Sequence, residues 1–149
     1  LGLGHYEAAH LPSKIDFSDN NIVNISAGGI HSACIDSSGY CYTWGSASYG
    51  QLGLGEDIIK EGMCHTPRRI HHLAPDHTGG VKPFRAMQIS CGGMHTAAVE
   101  DDGSVWCWGR ADSGQTGCQT WIFTCYRGVA VPTRLTSLPP EESAASVSC

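Results

Sequence analysis

Two histidines, His31 and His95, are the first candidates for chemistry, because imidazole is a common acid, base or metal ligand near neutral pH. Both stand in the same local pattern, Gly-x-x-His, so they occupy equivalent positions of two similar stretches. A catalytic centre is not normally duplicated in this way, whereas a structural position is. We therefore predict a structural role for both, as imidazoles that are hydrogen-bonded to backbone between strands.

Four further histidines could indicate zinc, since His65, His71, His72 and His77 fall within 13 residues. Their spacing matches no known ligand pattern, and no C-x-x-C pair is present to complete a site. The sequence therefore implies neither a metal ion nor a cofactor.

The acidic run Glu100-Asp101-Asp102 could supply paired carboxylates for general acid and base catalysis. It directly precedes Gly103, however, and such a run is typical of a solvated turn. No G-x-S-x-G motif or phosphate-binding loop occurs in the chain. We expect no catalytic residue and no enzymatic activity in this chain.

The candidate histidines belong to a long internal repeat. Residues 25–55 align without a gap with residues 89–119, and 13 of the 31 positions are identical. Besides the histidines, the recurring residues include Trp44 with Trp108 and Gly45 with Gly109. Self-similarity at a fixed interval indicates a repeat architecture, in which these residues pack and shape each unit.

The first repeat predicts four short strands, at 22–27, 31–36, 40–44 and 67–70, because apolar and β-branched residues alternate there between Gly, Asp and Ser. Residues 56–66 are predicted to form a polar loop, and 71–86 a surface loop. Four-stranded units that repeat are typical of propeller blades. The predicted fold is all-β: a β-propeller of four-stranded antiparallel blades, with about two complete blades and partial blades at both ends.

The repeat phase predicts the organisation of the whole chain as part of one propeller domain. The predicted segments are the tail of a preceding repeat (1–21), a first full repeat (22–73), an inter-repeat loop (74–86), a second full repeat (87–138), and a linker with the start of the next repeat (139–149). Further blades are expected from the rest of the protein, because two blades alone leave long unpaired edges.

The amino-acid composition argues against some classes of function and some cellular locations. The net charge of −5 argues against nucleic acid as a partner of this segment, and no apolar run is long enough for a membrane span. The 8 cysteines mostly align with small or apolar residues of the other repeat, which favours reduced thiols in a cytoplasmic or nuclear protein. Whether Cys34 and Cys41, which flank a predicted turn symmetrically, are bonded stays open.

The motifs Gly-x-x-His, Asp-Gly, Trp-Gly and Gly-Gln-Leu-Gly, in this order, resemble the regulator of chromosome condensation repeat family. The resemblance implies a seven-bladed propeller whose loops and blade tops carry partners. It implies no single activity, because members include an exchange factor for the GTPase Ran, ubiquitin-ligase and ciliary scaffolds, a plant UV-B photoreceptor and a β-lactamase inhibitor.

The resemblance implies that function lies at the two variable positions of Gly-x-x-His, which here hold Gly29 with Ile30 and Gly93 with Met94. Neither pair has the acidic and imidazole side chains of the exchange factor or the Trp and Arg of the photoreceptor. Ile30 and Met94 either form an apolar patch for a protein partner or pack under a loop. A second partner-binding candidate is the set of interface-enriched residues in 120–131, namely Trp121, Phe123, Tyr126 and Arg127.

These observations favour a non-catalytic protein-interaction propeller that acts as a scaffold or regulator in a eukaryote. The first alternative is a guanine nucleotide exchange factor for a Ran-like small GTPase, which would then be the partner. The second is the substrate-recognition domain of a large ubiquitin ligase. We expect a protein partner and no membrane.

Overall fold

The computed structural model describes residues 1–17, 21–75, 78–117, 128–136 and 144–149. The described residues form two four-stranded antiparallel sheets and one two-stranded hairpin. We refer to the four-stranded sheets as blade A and blade B, in chain order. In the described part of the chain, no helix has the length and apolar character that crossing a membrane requires.

Blade A contains strands β1 to β4 in their sequence order, with one short helix before the last strand. Their bounds are β1 (Ile22–Ala27), β2 (His31–Asp36), β3 (Cys41–Ser46), α1 (Glu56–Glu61) and β4 (Met63–Arg69). The connecting hairpin consists of β5 (Leu73–Pro75) and β6 (Val81–Pro83). Blade B contains β7 (Gln88–Cys91), β8 (His95–Val99), β9 (Val105–Arg110) and β10 (Gly128–Arg134), again in sequence order.

Each blade has two distinct ends. At one end, which we call the turn end, Asp36 accepts hydrogen bonds from the backbone N–H groups of Ser38 (2.9 Å) and Tyr40 (3.0 Å) and so fixes the β2–β3 hairpin. At the opposite end, the Gly-x-x-His end, β1 passes into β2 and β3 ends at Ser46, which pairs with Met63 of β4. The alternating strands thus deliver the variable motif positions to one end of each blade.

The fourth strand is longer than the sequence predicts. β4 begins at Met63, so Pro67 lies inside the strand instead of opening it, and the predicted polar loop 56–66 contains α1. Proline is tolerated here because β4 is an edge strand whose pairing with β3 shifts register between Thr43 and Gly45. The helix escaped prediction because it is only six residues long and ends at Gly62, which adopts the left-handed conformation.

The prediction of a surface loop over 71–86 is wrong for much of this segment. The hairpin of β5 and β6 lies there, and Ala74, Phe84 and Ala86 are buried in the core that blades A and B share. The ring centroid of Phe84 lies 5.3 Å from that of Trp106 and 6.1 Å from that of Trp108, with interplanar angles of 63° and 90°. The segment therefore packs between the two blades. Its two prolines and its glycine pair interrupt the alternation by which a strand is predicted from sequence.

The main core lies between the blades. β7 packs against β1 and β2, and the cluster includes Ile35 of blade A together with Ile89 and Trp108 of blade B. Cys34 and Cys41 are both free thiols. β2 and β3 pair Cys34 with Tyr42 and Ile35 with Cys41, so the two thiols project from opposite faces of the sheet. Opposite faces do not suit a disulfide.

Candidate functional site

A hydrogen-bond network connects the first Gly-x-x-His motif to blade B. The backbone carbonyl of Gln51, in the turn after β3, accepts hydrogen bonds from the Thr96 hydroxyl (2.8 Å) and the Trp108 indole N–H (3.0 Å). His31 Nε2 lies 2.7 Å from the same Thr96 oxygen. All of these side chains are buried. The turn of one repeat is therefore tied to the sheet of the next.

The expectation that the imidazole bonds to backbone is corrected here. The partner of His31 is the side chain of Thr96 on the neighbouring blade. Because Thr96 donates its single proton to the Gln51 carbonyl, the His31 Nε2–H is the donor to Thr96. This leaves His31 Nδ1 as an unprotonated nitrogen that is buried and has no hydrogen-bond partner in the described residues.

Burial lowers the pKa of His31 to about 4, and repulsion from His95 adds to the shift. A second proton would enter at Nδ1, where the described structure offers no acceptor. The pKa of His95, which is half-buried, is also lowered by burial. At neutral pH both imidazoles are uncharged, which agrees with a structural role.

The recurring tryptophans lie against glycines of the preceding turn. A Cβ at Gly53, whose φ is +68°, would lie 2.8 Å from Trp108 Nε1. In the same way, a Cβ at Gly2 would lie 2.8 Å from Trp44 Nε1. Trp44 and Trp108 are both buried, so each indole fills the space that the glycine leaves. Gly45 and Gly109, which follow the tryptophans, both have positive φ.

The two Gly-x-x-His loops touch each other directly. The Gly29 N–H donates to the carbonyl of Gly92 at 3.1 Å. A Cβ at Gly28 would clash with the same carbonyl, and one at Gly29 would lie 3.0 Å from the carbonyl of Gly93. Only glycine permits this approach. As a result, the ends of blades A and B form one continuous surface rather than two separate tips.

The predicted apolar positions lie on this surface. Ile30 is 44% exposed, which does not fit a side chain packed under a loop. Met94 is half-buried, and its sulfur accepts a hydrogen bond from Arg110 Nη1 at 3.6 Å. Met63 adds a third apolar side chain, 42% exposed, where β4 begins. The surface therefore offers apolar contacts beside a guanidinium.

Sequence reasoning missed the polar part of this surface. Arg110 forms a bidentate ion pair with Asp112, with both N···O distances at 2.8 Å. Its guanidinium carbon lies 5.3 Å from the ring centroid of Tyr49, which belongs to the turn of blade A. The ion pair with Asp112 also raises the pKa of Arg110. The sequence feature that could have identified Arg110 is the position after Trp-Gly, where the first repeat has Ser46 and the second has Arg110.

The second set of predicted partner-binding residues lies outside the described part of the chain. These residues are Trp121, Phe123, Tyr126 and Arg127. The described chain resumes at Gly128, which pairs with Arg110 at the Gly-x-x-His end.

The structure describes the surroundings of the acidic run and of three of the four clustered histidines. Asp101 is exposed, as a solvated turn predicts, but Glu100 is buried and accepts a hydrogen bond from the Trp106 indole N–H at 3.1 Å. Burial raises the pKa of Glu100. Among the described residues, which include His65, His71 and His72 but not His77, no group of three or more potential metal ligands comes together.

The four-stranded sheets, the inter-blade network and the repeated packing of tryptophan on glycine define blades of a β-propeller. Residues 38–99 match the profile of the regulator of chromosome condensation (RCC1) repeat, and residues 22–51 and 88–115 match a second profile of the same repeat. The chain belongs to the RCC1 repeat family, and its described part is a fragment of such a propeller.

Several curated relatives share about a third of the aligned residues. The chain is 34% identical over 122 residues to the human E3 ubiquitin-protein ligase HERC2, covering 78% of this chain and 2% of that protein. It is 33% identical over 118 residues to the ultraviolet-B receptor UVR8 of Arabidopsis thaliana, covering 78% of this chain and 24% of the receptor. It is 36% identical over 104 residues to the X-linked retinitis pigmentosa GTPase regulator homolog of Caenorhabditis elegans, with coverages of 70% and 7%.

Solved structures share the fold. Human WBSCR16 superimposes with a TM-score of 0.67 at 25% identity, covering 89% of this chain and 29% of that chain. Prp20p of Saccharomyces cerevisiae, reported together with its binding properties to Gsp1p and histones, superimposes with a TM-score of 0.62 at 20% identity, with coverages of 81% and 27%. The chain spans less than a third of each of these relatives and structures.

Proposed function

We propose that this chain is part of a non-catalytic protein-interaction propeller that acts as a scaffold or regulator. The observation that carries the proposal is the continuous surface at the Gly-x-x-His end, on which Ile30 is 44% exposed and Arg110 contacts Met94. Apolar, Met, Tyr and Arg side chains grouped on one surface are typical of protein interfaces. Trp121, Phe123, Tyr126 and Arg127 are proposed to add to this interface.

Relatives of several kinds are consistent with such a role. These relatives are named as ubiquitin ligases, a photoreceptor and a GTPase regulator, so the shared repeats accompany different activities. The partner is proposed to be a protein, and the proposed compartment is the cytoplasm or nucleus of a eukaryote. The proposed segmentation into repeats 22–73 and 87–138, with flanking parts 1–21, 74–86 and 139–149, follows the sequence phase.

Introducing a negative charge at position 30, with a matched control, tests the proposal. Ile30→Glu, made in the complete protein, is expected to lower recovery of a specific partner in quantitative affinity purification by at least tenfold. Leu73→Glu is the control, because Leu73 is 59% exposed and lies in the hairpin that follows the turn end of β4. Equal recovery with both variants would reject this surface. Recovery of no partner by the unsubstituted protein would reject the function.

The second candidate is a substrate-recognition domain of a large ubiquitin ligase. It is favoured by the relatives HERC2, HERC4 and HERC6, which are named as ubiquitin-protein ligases or probable ones, and of which the chain covers only 2–10%. A ubiquitin-transfer assay on the complete protein tests it, because a ligase forms ubiquitin conjugates whereas a scaffold alone forms none.

The exchange-factor alternative has less support from these residues. Gly29, Ile30, Gly93 and Met94 supply neither a carboxylate nor an imidazole at the variable positions. Release of fluorescent nucleotide from a Ran-type GTPase by substoichiometric complete protein would nevertheless establish it. The competence of the loaded GTPase is controlled by release with EDTA.

A further inference from the structure

Tyr40 lies at the turn end of blade A, away from the Gly-x-x-His end, and two arginines contact its phenol. The Cζ of Arg69 is 3.3 Å from the ring centroid, and that of Arg85 is 4.8 Å from it. Arg85 Nη2 also donates a hydrogen bond to the phenolic oxygen at 3.0 Å. Hydrogen bonding from Arg85 and from Arg69 lowers the pKa of Tyr40. We call these three residues the tyrosine–arginine cluster.

The local structure directs both arginines to the same phenol. Arg69 pairs with Tyr42 across β4 and β3, and Tyr40 precedes Tyr42 by two residues, so Arg69 and Tyr40 share one face of the sheet. The residue after Arg85 donates its backbone N–H to the Gly39 carbonyl at 2.9 Å, which holds Arg85 beside the turn. The end of β4 and the segment before β7 thus each supply one guanidinium.

The charge of this cluster is not balanced by a carboxylate. Among the described residues, no acidic side chain forms an ion pair with Arg69 or Arg85. The nearby Asp36 accepts a hydrogen bond from the Tyr42 hydroxyl at 3.1 Å. Glu100 accepts hydrogen bonds from an indole N–H of β9 at 3.1 Å and from the backbone N–H of Arg85 at 3.5 Å. Two guanidinium groups around one oxygen are the donors that a phosphate prefers.

The second repeat lacks this arrangement. Tyr40 corresponds to Ser104, so no phenol is present at that position. Tyr42 corresponds to Trp106, and both of these aromatic side chains donate to a buried carboxylate, at 3.1 Å in each repeat. The hydrogen bond of Tyr42 is therefore common to both repeats, whereas the tyrosine–arginine cluster is specific to the first.

We propose that Tyr40 is a phosphorylation site whose phosphate is held by Arg69 and Arg85. Phosphorylation replaces the neutral hydroxyl by a group with a charge of about −1.5 to −2 and three acceptor oxygens. Tyr40 lies between β2 and β3, next to the exposed turn residues 37–38, where a kinase can approach it. The bound phosphate joins the end of β4 to the segment before β7. This site is independent of the Gly-x-x-His end.

The reaction is a phosphoryl transfer from ATP by a tyrosine kinase. A bond forms between the phenolic oxygen of Tyr40 and the γ-phosphorus, and the bond from this phosphorus to the β-phosphate oxygen breaks. ADP leaves, and the phenolic proton passes to the base of the kinase.

Phosphotyrosine incorporated at position 40 of the complete protein tests whether the cluster holds a phosphate. Phosphotyrosine at position 42 is the matched control, because the Tyr42 hydroxyl faces the carboxylate of Asp36. In a ³¹P NMR titration, we expect the pKa of the phosphate at position 40 to lie about one unit below its ordinary value of about 6. At position 42 the carboxylate should raise it. An ordinary or raised phosphate pKa at position 40 would overturn the proposal.

Arginine variants locate the bound phosphate. In the protein with phosphotyrosine at position 40, Arg69→Gln and Arg85→Gln should each remove most of the shift and accelerate hydrolysis by a tyrosine phosphatase about tenfold. Arg68→Gln is the control and should change neither, because Arg68 and Arg69 are consecutive in β4 and project from opposite faces. Circular dichroism verifies the fold of each variant. The proposal is rejected if Arg68→Gln acts like the other two, or if none of the three has an effect.

Occurrence of the modification is tested in the cells that naturally contain the protein, after vanadate has blocked tyrosine phosphatases. Mass spectrometry of the complete protein should find a peptide with phosphate on Tyr40, at higher occupancy than on Tyr42. Absence of phosphate from Tyr40, or equal occupancy of the two tyrosines, would contradict the assignment.

Discussion

At the scale of single residues, the Gln51 carbonyl and its two donors link the repeats. The Thr96 hydroxyl accepts a hydrogen bond from His31 Nε2–H and donates one to this carbonyl. A buried donor without an acceptor costs more than a formed hydrogen bond contributes, so the network depends on every member. The place of His31 in the motif is thus explained by its hydrogen bond to Thr96.

Replacing Thr96 by valine tests this network. Thr96→Val keeps the volume but removes the acceptor of His31, so we expect the free energy of unfolding to fall by about 2 kcal/mol. The urea midpoint of the complete protein measures this change. Thr66→Val, at an exposed position of β4, is the control and is expected to shift it by less than about 0.5 kcal/mol. A comparable loss in both variants would contradict the account.

The pH dependence of stability follows from His31. Its pKa is about 4 when folded and 6.5 in the reference state, so between these values the unfolded chain binds more protons. Stability should therefore be complete above pH 6.5, fall as the pH decreases towards 4, and level off below. The full contribution of this one group is about 3 kcal/mol.

Comparison with His31→Gln isolates this effect, because glutamine donates a hydrogen bond without titrating. Burial also lowers the pKa values of His72 and His95. Both histidines therefore contribute to the pH dependence of stability in the same direction in the two proteins. Denaturant midpoints between pH 4 and 7 should decline more steeply in the unsubstituted protein. Parallel curves for the two proteins would show that His31 is not the titrating group.

At the scale of elements, the least patterned stretch has a structural role. The hairpin of β5 and β6 places Phe84 between the blades, against Trp106 and Trp108. Phe84→Ala should therefore destabilise the protein by about 3–5 kcal/mol, since it leaves a cavity in the inter-blade core. Val81→Ala, in the same hairpin but 65% exposed, should change stability by less than about 0.5 kcal/mol. Denaturant unfolding of both variants measures the difference, and equal midpoints would restore the surface-loop interpretation.

Elements were predictable where the two repeats agree. The alternation of 22–27 and 31–36 gives β1 and β2 as they are found, because two aligned copies of the pattern identify both strand and turn. α1 and the hairpin differ because they lie outside the 31 aligned positions, where a single copy leaves short elements ambiguous. Residues 63–66 of β4 differ from the prediction because proline is typical of a strand start, whereas Pro67 lies inside this edge strand.

The candidate surface was only partly predictable for a similar reason. Gly-x-x-His drew attention to Ile30 and Met94, which the structure places at one end of adjoining blades. Arg110 and Asp112 lie two residues apart in blade B, whereas Tyr49 comes from the turn of blade A. The contact between Tyr49 and Arg110 joins two blades, and no local pattern encodes it.

At the scale of the whole molecule, adjoining blades turn small differences between repeats into distinct surfaces. The position after Trp-Gly holds Ser46 in blade A and Arg110 in blade B, so the second repeat places a guanidinium where the first has a hydroxyl. The packing of Trp44 and Trp108 on glycine stays the same in both repeats while exposed side chains differ.

The most direct test of the proposed interaction surface is photo-crosslinking from position 30 of the complete protein. Benzoylphenylalanine replaces Ile30 in one variant and Leu73 in the other, since both side chains are exposed. We predict a discrete adduct with one protein partner from position 30, reduced by Met94→Glu, and no such adduct from position 73. Adducts of equal yield from both positions, or none from position 30, would contradict the assignment of the Gly-x-x-His end as a protein-binding surface.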